Sequence, residues 1–559
     1  MDISDFVIVG GVACGPKTAA TLARRLPNAS IILFQKESRL SYGNCGLPYY
    51  ASGDIGSFEE LTFTSYGVPR DKDYFDKTKG FRAMTGHEVI AINRELRTVT
   101  VKDLESGESF EHGYGKLVLA TGAGTNRPPF EVPDTTTTSR VRPFTRPDDA
   151  IAFRKMAEKG QIGTALVVGG GFIGCEVAEA AGGLWGIEVT LIEKENQILP
   201  YVLDPEMVAI AERELARQNV DVQTGATIEK IELNDSGNPV VSIAGGDKIT
   251  TDYVFLCLGV YPETTLAAAC GLRLGPTGGI AVNSRLQTSD ENIYAGGDCI
   301  ESQHQLTKRP VFLPMGSLAN RHGRVIAENL AGNETEFPGV LGTFLVKIFD
   351  INVGATGLSE QAVRKAGLEP NVIWGTFPDK PDYYPEYQTF VLKMVYDASN
   401  NRLLGLQAAG AGDIFRRIDV FASFLGRKAR VNDLFEFEHG YAPPFSEALD
   451  PLHHLAAMAQ AQQRGIKFLN LATDLSETDA QIIDVREPDE FKGEPFEGLS
   501  EVINIPLNDL RERSADLDIS KKTVVICKRG PRSYQAAMIL KAVGFEDVSI
   551  LSGGLQSRL

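Results

Sequence analysis

The chain is short of paired thiols. Its 559 residues hold seven cysteines, an odd number, widely scattered and without a C-x-x-C. That spacing argues against a disulfide framework and against a cysteine-rich zinc site, and no metal is expected. Basic charge is also scarce: 56 Lys and Arg stand against 73 Asp and Glu, a net charge of -17. General binding to nucleic acid or to an anionic membrane surface is therefore not expected. No apolar run approaches the ~20 residues of a membrane span. The opening MDISDFVIVGG enters an apolar strand without the basic and apolar regions of a signal peptide, so a reducing, cytoplasmic setting is expected. What remains is an ordinary soluble composition, 43% hydrophobic and 23% charged. At ~150 residues per domain the length suggests three or four domains.

Two glycine-turn units stand out. In DFVIVGGVACGPKTAATLARRL, Phe6 to Val9 reads as a buried strand, Gly10, Gly11 and Gly15 as a turn, and Lys17 to Leu26 as a helix. Such a unit sets backbone N–H groups and a helix N-terminus against a pyrophosphate. The next strand ends near Gln35, twenty residues after Gly15, where an acid would hold ribose hydroxyls. Val12 replaces the second glycine of G-x-G-x-x-G, and Gln35 replaces the acid. The second unit, ALVVGGGFIGCEVAEAAG, carries Gly169, Gly171 and Gly174 in full register after the strand Ala165 to Val168. Glu193 follows nineteen residues after Gly174 and would repel a 2′-phosphate, which favours NADH while leaving NADPH possible. KLVLATGAGTNRPP and DYVFLCLGVYPET are linked strand–turn segments, and TSDENIYAGGDCIE sets Asp298 after a strand and a Gly pair.

This order resembles the two-dinucleotide flavoprotein disulfide reductase family, which implies FAD in the first unit and NAD(P)H in the second. The resemblance implies cofactor contacts from Gly10, Gly11, Val12, Ala13, Gly15, Gln35, Lys36, Ser41, Asn44 and Val89. It implies further contacts from Thr121, Gly122, Gly169, Gly171, Phe172, Ile173, Gly174, Glu193, Gly259, Asp298 and Ala319, with Asp298 at the ribityl chain. The implied fold class is α/β, with two Rossmann-like domains, an α+β dimerisation domain and a C-terminal rhodanese-like α/β domain. The implied boundaries are 1–150 with 275–330 for FAD, 151–274 for NAD(H), and 331–455 for dimerisation. A linker at 456–469 and a last domain at 470–559 complete the chain.

SYGNCGLPYY holds Cys45 on a turn thirty residues beyond Gly15, with no second cysteine beside it. Most of the superfamily carries a dithiol there. S-x-x-x-C-G-L-P-Y resembles instead the single-cysteine branch: coenzyme A disulfide reductases, NADH oxidases and peroxidases, and coenzyme A persulfide reductases. A single thiol must form a mixed disulfide or persulfide with its substrate, or pass through sulfenic acid.

DYYPEY and HGYAPPFSEALDP resemble the motifs by which this branch brings two tyrosines across a homodimer interface to the active cysteine; they correspond to Tyr383 and Tyr441. Where the branch often has His-Ala before the tyrosines, this chain has Lys380-Pro381-Asp382. Lys17, Thr21 and Arg24 fall at spacings of four and three and share one helix face. By resemblance they meet coenzyme A, Arg24 at the 3′-phosphate; the spacing also suits a solvated basic face.

The C-terminal hundred residues change character. HHLAAMAQAQQRG is helix-prone and reads as a spacer. ICKRGPRS then sets Cys527 after a buried strand, with Lys528, Arg529, Gly530 and Arg532 in a loop and Ser533 opening a helix. Loop N–H groups, a helix N-terminus and arginines favour a thiolate or persulfide anion. C-x-x-G-x-R-S, with DVRE and NIPL, resembles the rhodanese domain, whose cysteine carries a sulfane sulfur. Cys527 to Arg532 encloses four residues, one fewer than a phosphatase loop. Glu497-Gly498-Leu499-Ser500 departs from the usual histidine-glycine-alanine stretch.

The expected activity is an FAD-dependent NAD(P)H reduction of coenzyme A persulfide or polysulfide, releasing hydrogen sulfide, with Cys45, Cys527, Tyr383 and Tyr441 catalytic. The alternatives are a coenzyme A disulfide reductase, then an NADH oxidase or peroxidase, and last a sulfur sensor with little turnover.

Overall fold

The computed structural model describes residues 1–134, 140–469, 480–496 and 501–558. Glu497 to Ser500 lie outside the described residues. The chain forms two compact units, Met1–Asn196 with Asn219–Val340, and Gln197–Gln218 with Leu341–Leu559.

The first unit holds two Rossmann-like sheets. One runs Arg82–Thr85, Ile31–Gln35, Asp2–Val9, Ser109–Leu119, Thr98–Asp103, His87–Asn93, with Ile293–Ala295 joining the far edge of Ser109–Leu119. The central strands pair in parallel and their apolar residues are buried, as expected where helices cover both faces. Ile8, Leu22, Leu33, Leu117, Val118 and Ile326 are fully buried in one cluster. Each such side chain contributes about 1.5–3 kcal/mol by leaving water. The second sheet runs Val220–Gln223, Glu188–Ile192, Thr164–Val168, Tyr253–Leu256, Val141–Pro143. Its last strand belongs to this sheet although it precedes residue 151.

The second unit carries a five-stranded antiparallel sheet, Phe344–Ile348, Ile351–Gly357, Leu403–Gly410, Thr389–Asp397, Pro370–Pro378. Helix Pro205–Arg217 packs on it. Lys393, 2% exposed, lies 3.1 Å from each of Asp204, Glu206 and Glu360. A lysine so deeply buried is tolerated only because it is paired, and removing one partner of such a group destabilises strongly.

A parallel sheet follows, Lys467–Leu469, Val548–Leu551, Thr523–Ile526, Gln481–Asp484, Val502–Asn504. The expected spacer is not loose. Pro451–Gln463 is one helix whose Leu455, Ala456 and Ala459 are fully buried, and Lys467–Leu469 is already a sheet strand. An Ala-rich stretch reads as a spacer because alanine has high helix propensity, but small side chains also allow close packing. No helix among the described residues is long and apolar enough to cross a membrane.

Candidate active site

The two glycine turns differ in what their glycines do. A Cβ on Gly10 would lie 2.0 Å from the Ala120 carbonyl oxygen, and one on Gly15 would lie 1.9 Å from that of Gly10. In the second turn, Gly169 and Gly174 are likewise forced, against the carbonyls of Cys257 and Gly169. Gly171 is not: nothing described lies within 4 Å of its added Cβ. The open space lies at the start of helix Phe172–Gly182, whose N-cap Gly171 makes no side-chain cap. Helix Cys14–Arg25 also begins without one, at Ala13. Two helix N-termini without a side-chain cap fit pyrophosphates.

The predicted ribose holders both brace their own turns. Gln35 Oε1 accepts from the Gly11 N–H at 2.8 Å. Glu193 Oε2 accepts from Gly170 at 2.7 Å and Oε1 from Glu195 at 2.9 Å. Each oxygen keeps a second lone pair, so both remain able to accept from a ribose. Burial pushes the Asp298 carboxyl up to about 6, opposed by the nearby Met315 backbone. A sparsely partnered, partly buried carboxylate suits a polyol.

The other predicted contacts are spread around these turns. Val12 and Ile173 are half-buried, Lys36 and Asn44 are exposed, and Val89 is core. Phe172 opens its helix, 36% exposed. Ser41 adopts φ 46 and donates its N–H to Gly11 O at 2.8 Å. Thr121 Oγ1 donates to Glu263 O at 2.6 Å, while Gly122 and Gly259 take φ 76 and 78. Ala319 lies buried on helix Gly316–Leu330. Of the predicted coenzyme A face, Lys17 is half-buried and Arg24 exposed. Thr21 is only 6% exposed, and its hydroxyl donates to Lys17 O at 2.7 Å and accepts from Arg24 at 3.2 Å. Spacing put the three on one face, but the helix is packed tightly enough there to cover the middle residue.

Cys45 lies in the short turn Asn44–Gly46 that leads into helix Leu47–Ser52, and it is exposed. A Cβ on Gly316 would be 3.6 Å from its Sγ, so the sulfur faces the start of helix Gly316–Leu330. Protein on its inner side pushes the thiol up, as do Glu176 and Asp298; backbone hydrogen bonds from Cys45 and Gly316 oppose this. Glu176 was not among the predicted residues. Burial, then Glu179, pushes its carboxyl up to about 7. Its sequence signal was the acid of GGGFIGCE, one turn into the helix after Phe172.

In the second unit Tyr383 and Tyr441 come together. Tyr441 acts on the Tyr383 hydroxyl and pushes it up, and the two residues are 74% and 50% exposed. Cys527 is 1% exposed and its Sγ accepts from the Gly530 N–H at 3.0 Å. Gly530 holds φ 123 to aim that N–H. Ser533 Oγ, buried just beyond, has no partner among the described residues. The two loop arginines are both held. Arg532 donates to Glu490 at 2.6 and 2.9 Å and holds that carboxyl down at about 2. Arg529 donates to Asp382 through both terminal nitrogens. Neither is therefore a free cation over the sulfur; the orphan hydroxyl and the loop N–H remain for it.

Two uncapped nucleotide turns, a lone thiol at a helix start and a buried loop cysteine define a two-dinucleotide thiol oxidoreductase with an appended sulfur-handling domain. The chain belongs to the pyridine nucleotide-disulphide oxidoreductase family, whose profile matches residues 4–313. The dimerisation domain of that family matches 343–453 and a rhodanese-like domain matches 470–557. An NAD(P)H sulfur oxidoreductase (CoA-dependent) of Pyrococcus abyssi is 37% identical over 450 residues, 80% of this chain and 97% of that one. The solved NAD-dependent persulfide reductase from A. fulgidus is 36% identical with a TM-score of 0.93, covering 100% of both chains. Reduced CoADR-RHD of Bacillus anthracis is 32% identical with a TM-score of 0.91, covering 100% of this chain and 98% of that one.

Proposed function

We propose that the protein is an NAD(P)H-dependent reductase of coenzyme A persulfide or polysulfide, which releases hydrogen sulfide and works as a homodimer. The observation that carries it is the pairing of a lone exposed thiol, Cys45, with a second, buried sulfur site, Cys527, in one chain. The chemistry of an oxidase or a disulfide reductase at Cys45 does not by itself require the second.

The residues divide the work. Gly10, Gly11 and the helix from Cys14 would hold the FAD pyrophosphate, and Asp298 its ribityl chain. The turn at Gly171 and Glu193 would hold NADH. A bound flavin supplies two electrons, taken as hydride from the nicotinamide, to the sulfur of Cys45. The Gly530 N–H steadies sulfur on Cys527. A coenzyme A thiolate attacks the outer sulfur of the Cys527 persulfide; a new S–S bond forms on the carrier, and Cys527 leaves as thiolate. The Cys45 thiolate then attacks the carrier's persulfide. Attack on the inner sulfur gives a Cys45–coenzyme A disulfide and hydrosulfide; attack on the outer sulfur gives a Cys45 persulfide and frees the carrier thiolate. Either product takes two electrons to restore Cys45. Tyr383 and Tyr441, from the partner, hydrogen-bond the departing sulfur and supply its proton.

The test is anaerobic NADH consumption with coenzyme A persulfide, polysulfide and coenzyme A disulfide, in wild type, Cys45→Ser and Cys527→Ser. Turnover of coenzyme A persulfide that needs Cys45 alone, and turnover of polysulfide with coenzyme A that needs both cysteines, are expected. Faster turnover of the disulfide, indifferent to Cys527→Ser, would replace this reading with a coenzyme A disulfide reductase.

A further inference from the structure

Arg529 leaves its own domain. It is the second residue after Cys527, yet both terminal nitrogens reach Asp382, the residue before Tyr383. The other loop arginine, Arg532, stays within the domain on Glu490. The two cations are thus sorted, one bracing the loop from inside and one extended outward. Two further groups converge on the outward one. Tyr387 and Glu447 lie within its field, and Glu447 belongs to the segment that carries Tyr441. Burial and the negative charge of Asp382 push the Glu447 carboxyl up, while Arg529 and Arg417 oppose this.

A second contact acts on the same loop. The N–H groups of Leu555 and Gln556 donate to the carbonyls of Cys527 and Lys528, each at 3.0 Å. A Cβ on Gly554 would lie 2.4 Å from Cys527 O. One residue earlier, a Cβ on Gly553 would lie 3.1 Å from Thr376 Oγ1, in the strand Pro370–Pro378 that leads towards Asp382. The Cys527 loop is therefore hydrogen-bonded to a segment that packs beside the end of that strand, and joined through Arg529 to the loop beyond it. The packing contact limits its distance, and the bidentate ion pair its rotation.

We propose that the Asp382–Arg529 ion pair is a docking clamp that registers the Cys527 loop to the Tyr383–Tyr441 pair, so that a sulfur carrier meets both without leaving the protein. The proposal rests on the reading above that Cys527 supplies sulfane sulfur. Asp382 touches neither sulfur nor carrier and is a positioning residue. A bidentate Arg–carboxylate pair has the directionality for this, and its partial exposure, 24% and 51% at the side chains, makes it sensitive to salt.

The test is a single turnover of the full-length holoenzyme. Cys527 is loaded with thiosulfate, excess donor is removed, and the enzyme is mixed anaerobically with coenzyme A and NADH. Asp382→Asn should slow NADH loss about fivefold, and Asp382→Glu should restore most of it. Transfer from thiosulfate to cyanide should change less than twofold. Raising salt to 0.5 M should slow the wild type and not the Asn variant. Hydrogen exchange of residues 527–534 should quicken in Asp382→Asn. An unchanged single-turnover rate, a Glu variant as slow as Asn, or an equal loss in cyanide transfer overturns the clamp. If the loaded wild type consumes no NADH, the functional reading fails instead; the exchange measurement then decides the clamp alone, and unaltered exchange sinks it.

Discussion

Cys45 and Cys527 solve opposite problems. Cys45 is exposed on a short turn, faces the start of one helix, and has two carboxylates, Glu176 and Asp298, raising its thiol. Cys527 is buried, its sulfur met by a loop N–H, with the nearby arginines neutralised by Glu490 and Asp382. The first environment suits a thiol that must be reached by a long substrate and reset by a cofactor. The second suits a thiol that stores an anion out of water. Burial, then two carboxylates, raises the Cys45 thiol; the loop backbone places the Cys527 sulfur.

The largest test of that contrast is to remove each sulfur. Cys45→Ser should lower NADH-linked persulfide reduction at least about 1000-fold and leave thiosulfate-to-cyanide transfer intact, with Cys527→Ser giving the reverse in the transfer assay. If either variant abolishes both activities, the two sites are not separable. Next, Gly554→Ala attacks backbone geometry alone. Its φ of 61 and its 2.4 Å approach to Cys527 O predict about 1–3 kcal/mol of lost stability by denaturant titration. Sulfur transfer should fall about 100-fold in that variant, while NADH reduction of an artificial acceptor is unchanged. Third, Gly171→Ala fills the open cradle on the Cys45 side, where nothing described obstructs a Cβ. KM for NADH should rise about tenfold with Tm unchanged, whereas an unaltered KM would remove the pyrophosphate from that turn.

The smallest effect concerns Glu176. Burial disfavours its charge and pushes the carboxyl up to about 7, from an ordinary value of 4.5. The wild type therefore loses stability as pH rises through that interval, and an amide does not. Glu176→Gln should gain about 1–2 kcal/mol relative to wild type between pH 5 and pH 8, measured by denaturant midpoints. A constant difference across that range would show that the carboxyl does not titrate there.

Legibility followed the length of the interaction. Gly10, Gly15, Gly169 and Gly174 were readable because a tight strand-to-helix turn is a local demand, and each proved to be packed against a carbonyl. Cys527 and its loop were readable for the same reason. Thr21 is 6% exposed, which its spacing with Lys17 and Arg24 did not reveal, because helical spacing fixes an angle around an axis and says nothing of what covers it. The spacer at 456–469 was misjudged because alanine serves packed and unpacked helices alike. Glu176 stood in plain view inside the second glycine motif, but its significance lies in the sulfur and carboxylates that folding brings beside it.

Periodicity, glycine register and the positions of Cys45 and Cys527 were enough to specify two strand–glycine turn–helix units, a lone thiol on a turn and a loop cysteine after a buried strand, since each is a demand made within about twenty residues. Only folding across 147 positions could join Arg529 to Asp382, and only folding between two separate motifs could bring Tyr383 to Tyr441. Such pairs leave no periodic trace, because an ion pair needs just two side chains in reach, and the reach is set by the packing of everything between them.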